Sequence, residues 1–192
     1  IKEICKKKKI LLIADEIQGG IGRTGKIFAY KHYSVSPDII TTAKGLGSGI
    51  PIGATIVKKD IAKKINIGFH GSTFGGGMLQ TRVAYNVFQT INKTSFLNSV
   101  KSKGILLGQL LNKLNSKHDL IKEVRIKGLM AGIEFKNSQL ALKIYKKTSK
   151  DGLVTTLVKG TTIRITPPLI IKADELKKGI KIISDCLNKI KK

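Results

Sequence analysis

Three short apolar runs rich in β-branched residues occupy the first third of the chain: Ile10 to Ala14, Ile39 to Ala43 and Ile52 to Val57. Each is bounded by glycine, proline or charge, and none alternates cleanly with polar residues. Unbroken runs of this kind predict strands of an α/β sheet buried on both faces. After the glycine-rich stretch Gly71 to Gly77 the period changes. Leu79, Val83, Ala84, Val87, Phe88 and Ile91 recur at three and four, the spacing of one helix face. A second helix is predicted from about Ser95 to Asn115, with Phe96, Val100, Leu107, Leu110, Leu111 and Leu114 on its buried stripe despite Gly104 and Gly108.

Beyond that helix the pieces shorten. Strands are predicted at Leu129 to Phe135, Leu153 to Leu157 and Thr161 to Ile165, with a helix from about Ser138 to Ser149, and Pro167-Pro168 stops the last strand. A closing helix starts near Ala173 and stacks Leu176, Ile180, Ile183, Leu187 and Ile190. Asp174 and Glu175 lie in its first turn and lysines in its last, which suits the helix dipole. The change of texture places a domain boundary near residue 97.

Composition alters this picture little. The 192 residues and 41% hydrophobic content suffice for a real core. Cys5 and Cys186 are far apart, without the paired spacing of a zinc or redox site, and read as reduced thiols. His32, His70 and His118 are equally scattered, so no metal and no serine-histidine-aspartate triad is implied. The net charge of +24 raises the question of nucleic acid. The excess is nearly all lysine, spread over every segment without aromatic interleaving. Weak, salt-sensitive adhesion to polyanions is expected, but no specific nucleic-acid role. No apolar stretch reaches membrane-spanning length and the first residues lack the core of a secretory signal, so the chain reads as cytoplasmic.

The chemistry concentrates at two run ends. Asp15 closes the first run and opens the glycine-rich stretch Glu16 to Gly25, while Lys44 follows the second run and precedes Gly45-Leu46-Gly47-Ser48-Gly49. In open α/β sheets, ligands bind beyond the carboxyl ends of strands, where both residues fall. One amine and one acid in that place suit pyridoxal phosphate. The amine bonds to the cofactor aldehyde and the carboxylate keeps the pyridine nitrogen protonated. Singly, Lys44 reads more readily as a surface lysine and Asp15 as a turn acid. Joined to Gln18, the glycine loop and Ser72-Thr73, the set is hard to produce by accident.

With these residues in place, the sequence resembles the class III pyridoxal-phosphate aminotransferases, which share the aspartate-aminotransferase fold (fold type I). The matching stretches run from Ala14 to Ala54, His70 to Gly77, Lys127 to Phe135 and Ile163 to Ile171, and their order and spacing agree as well. Within the family the wording is most similar to the acetylornithine aminotransferases. The resemblance implies that residues 1–97 form the carboxyl-terminal part of the large cofactor-binding domain, and 98–192 the small α+β domain. It implies that Lys44 is the catalytic amine, that Asp15 pairs with the ring nitrogen, and that Gln18 reaches the cofactor's phenolic oxygen. Ser72 and Thr73 would bind the phosphate, Thr73 serving the neighbouring subunit of a homodimer. Arg164 would grip the substrate α-carboxylate, for which the guanidinium fork is suited. Arg23 and His70 are assigned structural roles, and Phe28, Tyr30 and Phe74 are expected in the core or an interface.

The implied reaction passes an ω-amino group from N-acetylornithine to 2-oxoglutarate, in arginine biosynthesis. Ornithine is the alternative donor, and a non-catalytic remnant is the alternative from another class. Two departures bear on this. Gly77-Met78 stands where the family has Asn-Pro, which predicts a looser loop around Thr73 and a weaker phosphate grip. Family members also run to about twice this length. The chain is therefore expected to be the carboxyl-terminal portion of an aminotransferase, an excerpt or the product of a broken gene. By itself it is expected to leave unpaired sheet edges and to hold the cofactor poorly.

Overall fold

A computed structural model describes residues 1–191 and divides them into two units, Ile1–Leu97 and the residues from Asn98 onward. The first contains helix α1 (Lys2–Lys8), strands β1 (Ile13–Asp15), β2 (Ile39–Thr42) and β3 (Ala54–Val57), the single turn α2 (Lys59–Ala62) and helix α3 (Met78–Ile91). Strands β1 and β2 are parallel, with Asp15 in register with Thr41, and β3 returns antiparallel to β2. The order β1-β2-β3 leaves β1 and β3 as edges among the described residues.

One side chain ties these pieces together. Asp38 accepts hydrogen bonds from the Leu12 amide at 2.8 Å, from Lys58 Nζ at 2.7 Å and from Lys2 Nζ at 3.2 Å. The amide first, and the Lys58 hydrogen bond next, hold its carboxyl well below the usual carboxylate range. A single acid at the foot of β2 thus binds α1, the entry to β1 and the exit of β3.

The expectation that these strands are buried on both faces is wrong for this unit. Ile13 is 57% exposed and Ile56 46%, and Ile10 and Leu11 just ahead of β1 are also open to solvent. The physical reason is that residues 1–97 supply too few elements to cover a sheet on two sides. The apolar runs are written for a burial that this unit alone does not provide. Helices α1 and α2 were not foreseen either, because their short lysine-rich sequences carry no apolar stripe.

The second unit begins within helix α4 (Thr94–Asn115) and continues through β4 (Ile121–Lys127), β5 (Met130–Phe135), α5 (Ser138–Lys150), β6 (Thr156–Val158), β7 (Thr162–Ile165) and α6 (Ala173–Lys191). Its four strands form an antiparallel sheet in the order β4-β5-β7-β6. On β5 and β7 the period of two is strict: Ala131, Ile133, Phe135, Ile163 and Ile165 are buried, while the residues between them are half-buried. The buried stripe of α4, Val100, Gly104, Leu107, Leu111 and Leu114, completes a sealed core with Ala141 and Ile144 of α5 and Leu176, Ile180, Ile183 and Leu187 of α6.

Helix α5 starts where Asn137 Oδ1 accepts the Leu140 amide at 2.9 Å, and the Lys172 amide just before α6 donates to Glu175 Oε2 at 2.7 Å. The expected strand 153–157 is displaced to Thr156–Val158, and β4 was missed. Lys192, at the end of the lysine-rich closing turn, lies outside the described residues, as does the side chain of Lys191. No helix among the described residues is long and apolar enough to cross a membrane.

Candidate functional site

Parallel pairing of β1 with β2 brings Asp15 and Lys44 to the same carboxyl edge. Asp15 is the last residue of β1, and the Glu16 amide still donates to the Thr41 carbonyl at 2.8 Å, prolonging the ladder by one step. Lys44 follows the last residue of β2 by two positions and opens a 3₁₀ turn, Lys44–Leu46. Its φ of 45° lies in the left-handed region, uncommon for a residue with a β-carbon and found disproportionately where function demands a particular side-chain direction. Both side chains are exposed within this unit.

The carboxylate of Asp15 is held by the Ile17 amide, which donates to Oδ1 at 3.0 Å. Oδ2 makes no hydrogen bond among the described residues and is available for a protonated ring nitrogen. Beneath the edge, the hydroxyl of Thr42 is buried with no hydrogen-bond partner among the described residues. An oriented acid at the end of β1, and an orphaned hydroxyl and an amine on left-handed backbone at the end of the paired β2, fit an aldehyde cofactor with a basic ring.

Glu16 was overlooked in the sequence. It is 3% exposed, and its carboxylate accepts the Ala29 amide at 2.8 Å and the Tyr30 amide at 2.7 Å. A buried charge is tolerable only with such partners. Here they fold the segment from Ile17 to Phe28 back on itself beside Asp15. Gly20 is required in this fold, since a Cβ would stand 2.6 Å from the Glu16 carbonyl oxygen. Gln18 lies in the turns that follow, not on a helix, and is half-buried. Burial lowers the pKa of Arg23 in the same loop.

Ser72 and Thr73 are exposed, in a turn where the Gly75 amide donates to the Ser72 carbonyl at 3.1 Å. They lie upstream of α3 instead of capping it. Gly77, the residue at its N-terminus, offers no side-chain hydrogen bond. Phe74 is 83% exposed, which excludes it from the core of this unit, whereas Phe28 is buried and stacks on Tyr30 with centroids 5.8 Å apart. Arg164 belongs to the second unit. It pairs across the sheet with Gly132 on β5 and Thr156 on β6, on the face opposite Ile163 and Ile165. Gly132 is closely approached there, since a Cβ would stand 3.2 Å from Thr162 Cγ2 of β7.

Comparison with known proteins gives a consistent result. The family Aminotransferase class-III matches residues 1–187. An acetylornithine/succinyldiaminopimelate aminotransferase of Photorhabdus laumondii is 40% identical over 99% of this chain and 48% of its own length. An acetylornithine aminotransferase of Caldanaerobacter subterraneus is 42% identical over 100% of this chain and again 48% of its own. Among solved structures, an ornithine aminotransferase of Plasmodium yoelii superposes with a TM-score of 0.91 at 36% identity, covering 98% of this chain and 50% of the other. The chain spans about half the length of the curated relatives it matches.

Proposed function

This chain belongs to the class-III aminotransferases, of fold type I, whose cofactor is pyridoxal phosphate, and from that premise we propose that in the complete protein it transfers an ω-amino group from N-acetylornithine to 2-oxoglutarate. The products are N-acetylglutamate semialdehyde and glutamate, a step of arginine biosynthesis in the cytoplasm. The observation that carries the reading is the shared strand edge of Asp15 and Lys44. Pyridoxal phosphate, when bound, supplies an aldehyde that captures amines and a ring that withdraws electrons from the carbon bearing them.

The residues of this chain do the rest. Asp15 keeps a proton on the ring nitrogen through its uncommitted Oδ2. Lys44 anchors the cofactor through Nζ, and once released takes the proton from the substrate carbon and holds it for return. Gln18 contacts the phenolic oxygen. Ser72 and Thr73 bind phosphate, Thr73 across the interface of a homodimer. Arg164 holds the carboxylate of the amino donor and then of 2-oxoglutarate with its planar fork. The names of the curated relatives favour the acetylated donor, and the Photorhabdus relative's name adds succinyldiaminopimelate. Ornithine is the competing donor, favoured by the structural neighbours.

The test uses the complete protein with its cofactor. Glutamate should form from N-acetylornithine and 2-oxoglutarate faster than from ornithine, and borohydride reduction should fix the cofactor to the peptide containing Lys44. Lys44→Ala should abolish both. A label on another lysine would refute the assignment.

A further inference from the structure

The chain leaves β7 through Thr166-Pro167-Pro168-Leu169-Ile170-Ile171 before α6 begins at Ala173. The prolines donate nothing to this connection, and one hydrogen bond within it runs from the Ile171 amide to the Pro168 carbonyl at 3.0 Å. A side chain from elsewhere holds it. Lys103 of α4 donates from Nζ to the Leu169 carbonyl at 2.6 Å, across 66 positions of sequence. Lys103 is partly buried, and burial pushes its ammonium pKa down. A cation gives up water in this way only where another partner replaces it.

The position of Lys103 along the sheet is fixed by its neighbour. Gly104 packs so closely on the turn between β4 and β5 that a Cβ would fall 2.7 Å from Gly128 Cα, so no side chain fits there. The segment that Lys103 secures is also a wall. Pro167 and Pro168 line, together with Arg164, Glu175, Leu176 and Ile180, a cavity of about 340 Å³ at the exit of β7.

Resting on the reading of Arg164 as the carboxylate grip, we propose that Lys103 is a positioning residue for substrate binding: its hydrogen bond to the Leu169 carbonyl fixes the strand exit and thereby the direction in which Arg164 presents its guanidinium. Lys103 touches neither substrate nor cofactor. Its effect falls on binding, because a carboxylate clamp loses affinity steeply when its fork is misaligned.

The experiment compares Lys103→Met and Lys103→Arg with the parent in the complete, cofactor-loaded protein. For Lys103→Met, the KM for glutamate and the calorimetric Kd for glutarate should both rise about 10-fold, with kcat at saturation within about 2-fold. Lys103→Arg, which keeps a donor, should recover most of the affinity. If Lys103→Met does not fold, Lys103→Gln carries the same comparison. Unchanged KM and Kd would overturn the proposal. So would a fall in melting temperature and kcat with no separate effect on KM, which marks a purely structural contact. A parent protein that binds glutarate but forms no glutamate would refute the aminotransferase reading, and the glutarate ratio would still decide the role of Lys103.

Discussion

The two units solve the problem of folding with different resources. The largest side chains sealed from solvent, among them Phe135, Leu107, Leu111, Ile133, Ile144, Ile163 and Leu187, all lie in the second. The first buries Ile21, Ile27, Phe28, Leu46, Ala84 and Ile91 less completely, and leaves Ile10, Leu11, Ile13, Ile56, Phe69 and Phe74 exposed. It holds its strands with a polar knot at Asp38 and the loop after β1 with another at Glu16. The contrast shows a division of labour within one chain. The unit that carries Lys44 and Asp15 has apolar surface still to be covered, while the unit that carries Arg164 closes its own core.

The largest effect should come from separating them. Residues 93–192, with α4 whole, should fold alone and melt cooperatively by circular dichroism, whereas residues 1–97 should show no cooperative transition. The reverse outcome would break the contrast. Point substitutions sharpen it. Leu107→Ala in the sealed core should cost about 2–5 kcal/mol in denaturant melts of the isolated chain. Ile13→Ala, on the open strand, should cost less than about 0.5 kcal/mol there. A similar cost at both sites would mean that the first unit is better covered than its exposure implies.

The smallest effect concerns acid. The Leu12 amide and the two lysines hold the Asp38 carboxyl well below the usual carboxylate range. A group whose folded pKa is depressed adds stability above its unfolded pKa, near 4, and that stability drains away as pH falls toward the folded value. The first unit should therefore loosen as pH drops below about 5, and Asp38→Asn should remove this part of the acid response. Amide hydrogen exchange of the segment from Ile10 to Lys58 across that range, referenced to the intrinsic exchange rate at each pH, is the readout. An unchanged acid profile in the variant would show that Asp38 does not serve as the knot.

Much of the fold was legible because periodicity is local. The spacing of Leu79 to Ile91 and of Leu176 to Leu187 names helices without reference to anything else, and β5 and β7 announce themselves by apolar character. Strand β4 did not, for a physical reason. Ile121-Lys122-Glu123-Val124-Arg125-Ile126-Lys127 is an edge strand with a charged outer face, and an irregularity between Ile121 and Glu123 breaks its period of two. On that face, Glu134 of β5 bonds Lys122 Nζ at 2.7 Å and Arg125 Nη1 at 2.7 Å, a ladder that appears only once the strands are paired.

The same limit applies to the site. The sequence by itself determined that an acid and an amine each end an apolar run, because a run end is a property of a few adjacent residues. It could not determine that β1 and β2 lie side by side and parallel, which sets the two groups on one edge. Nor could it determine that Glu16 turns inward to bind amides thirteen and fourteen residues on, or that Lys103 reaches the Leu169 carbonyl. Those are contacts between distant positions, selected by which arrangement satisfies buried polar groups, and only the tertiary structure decides that.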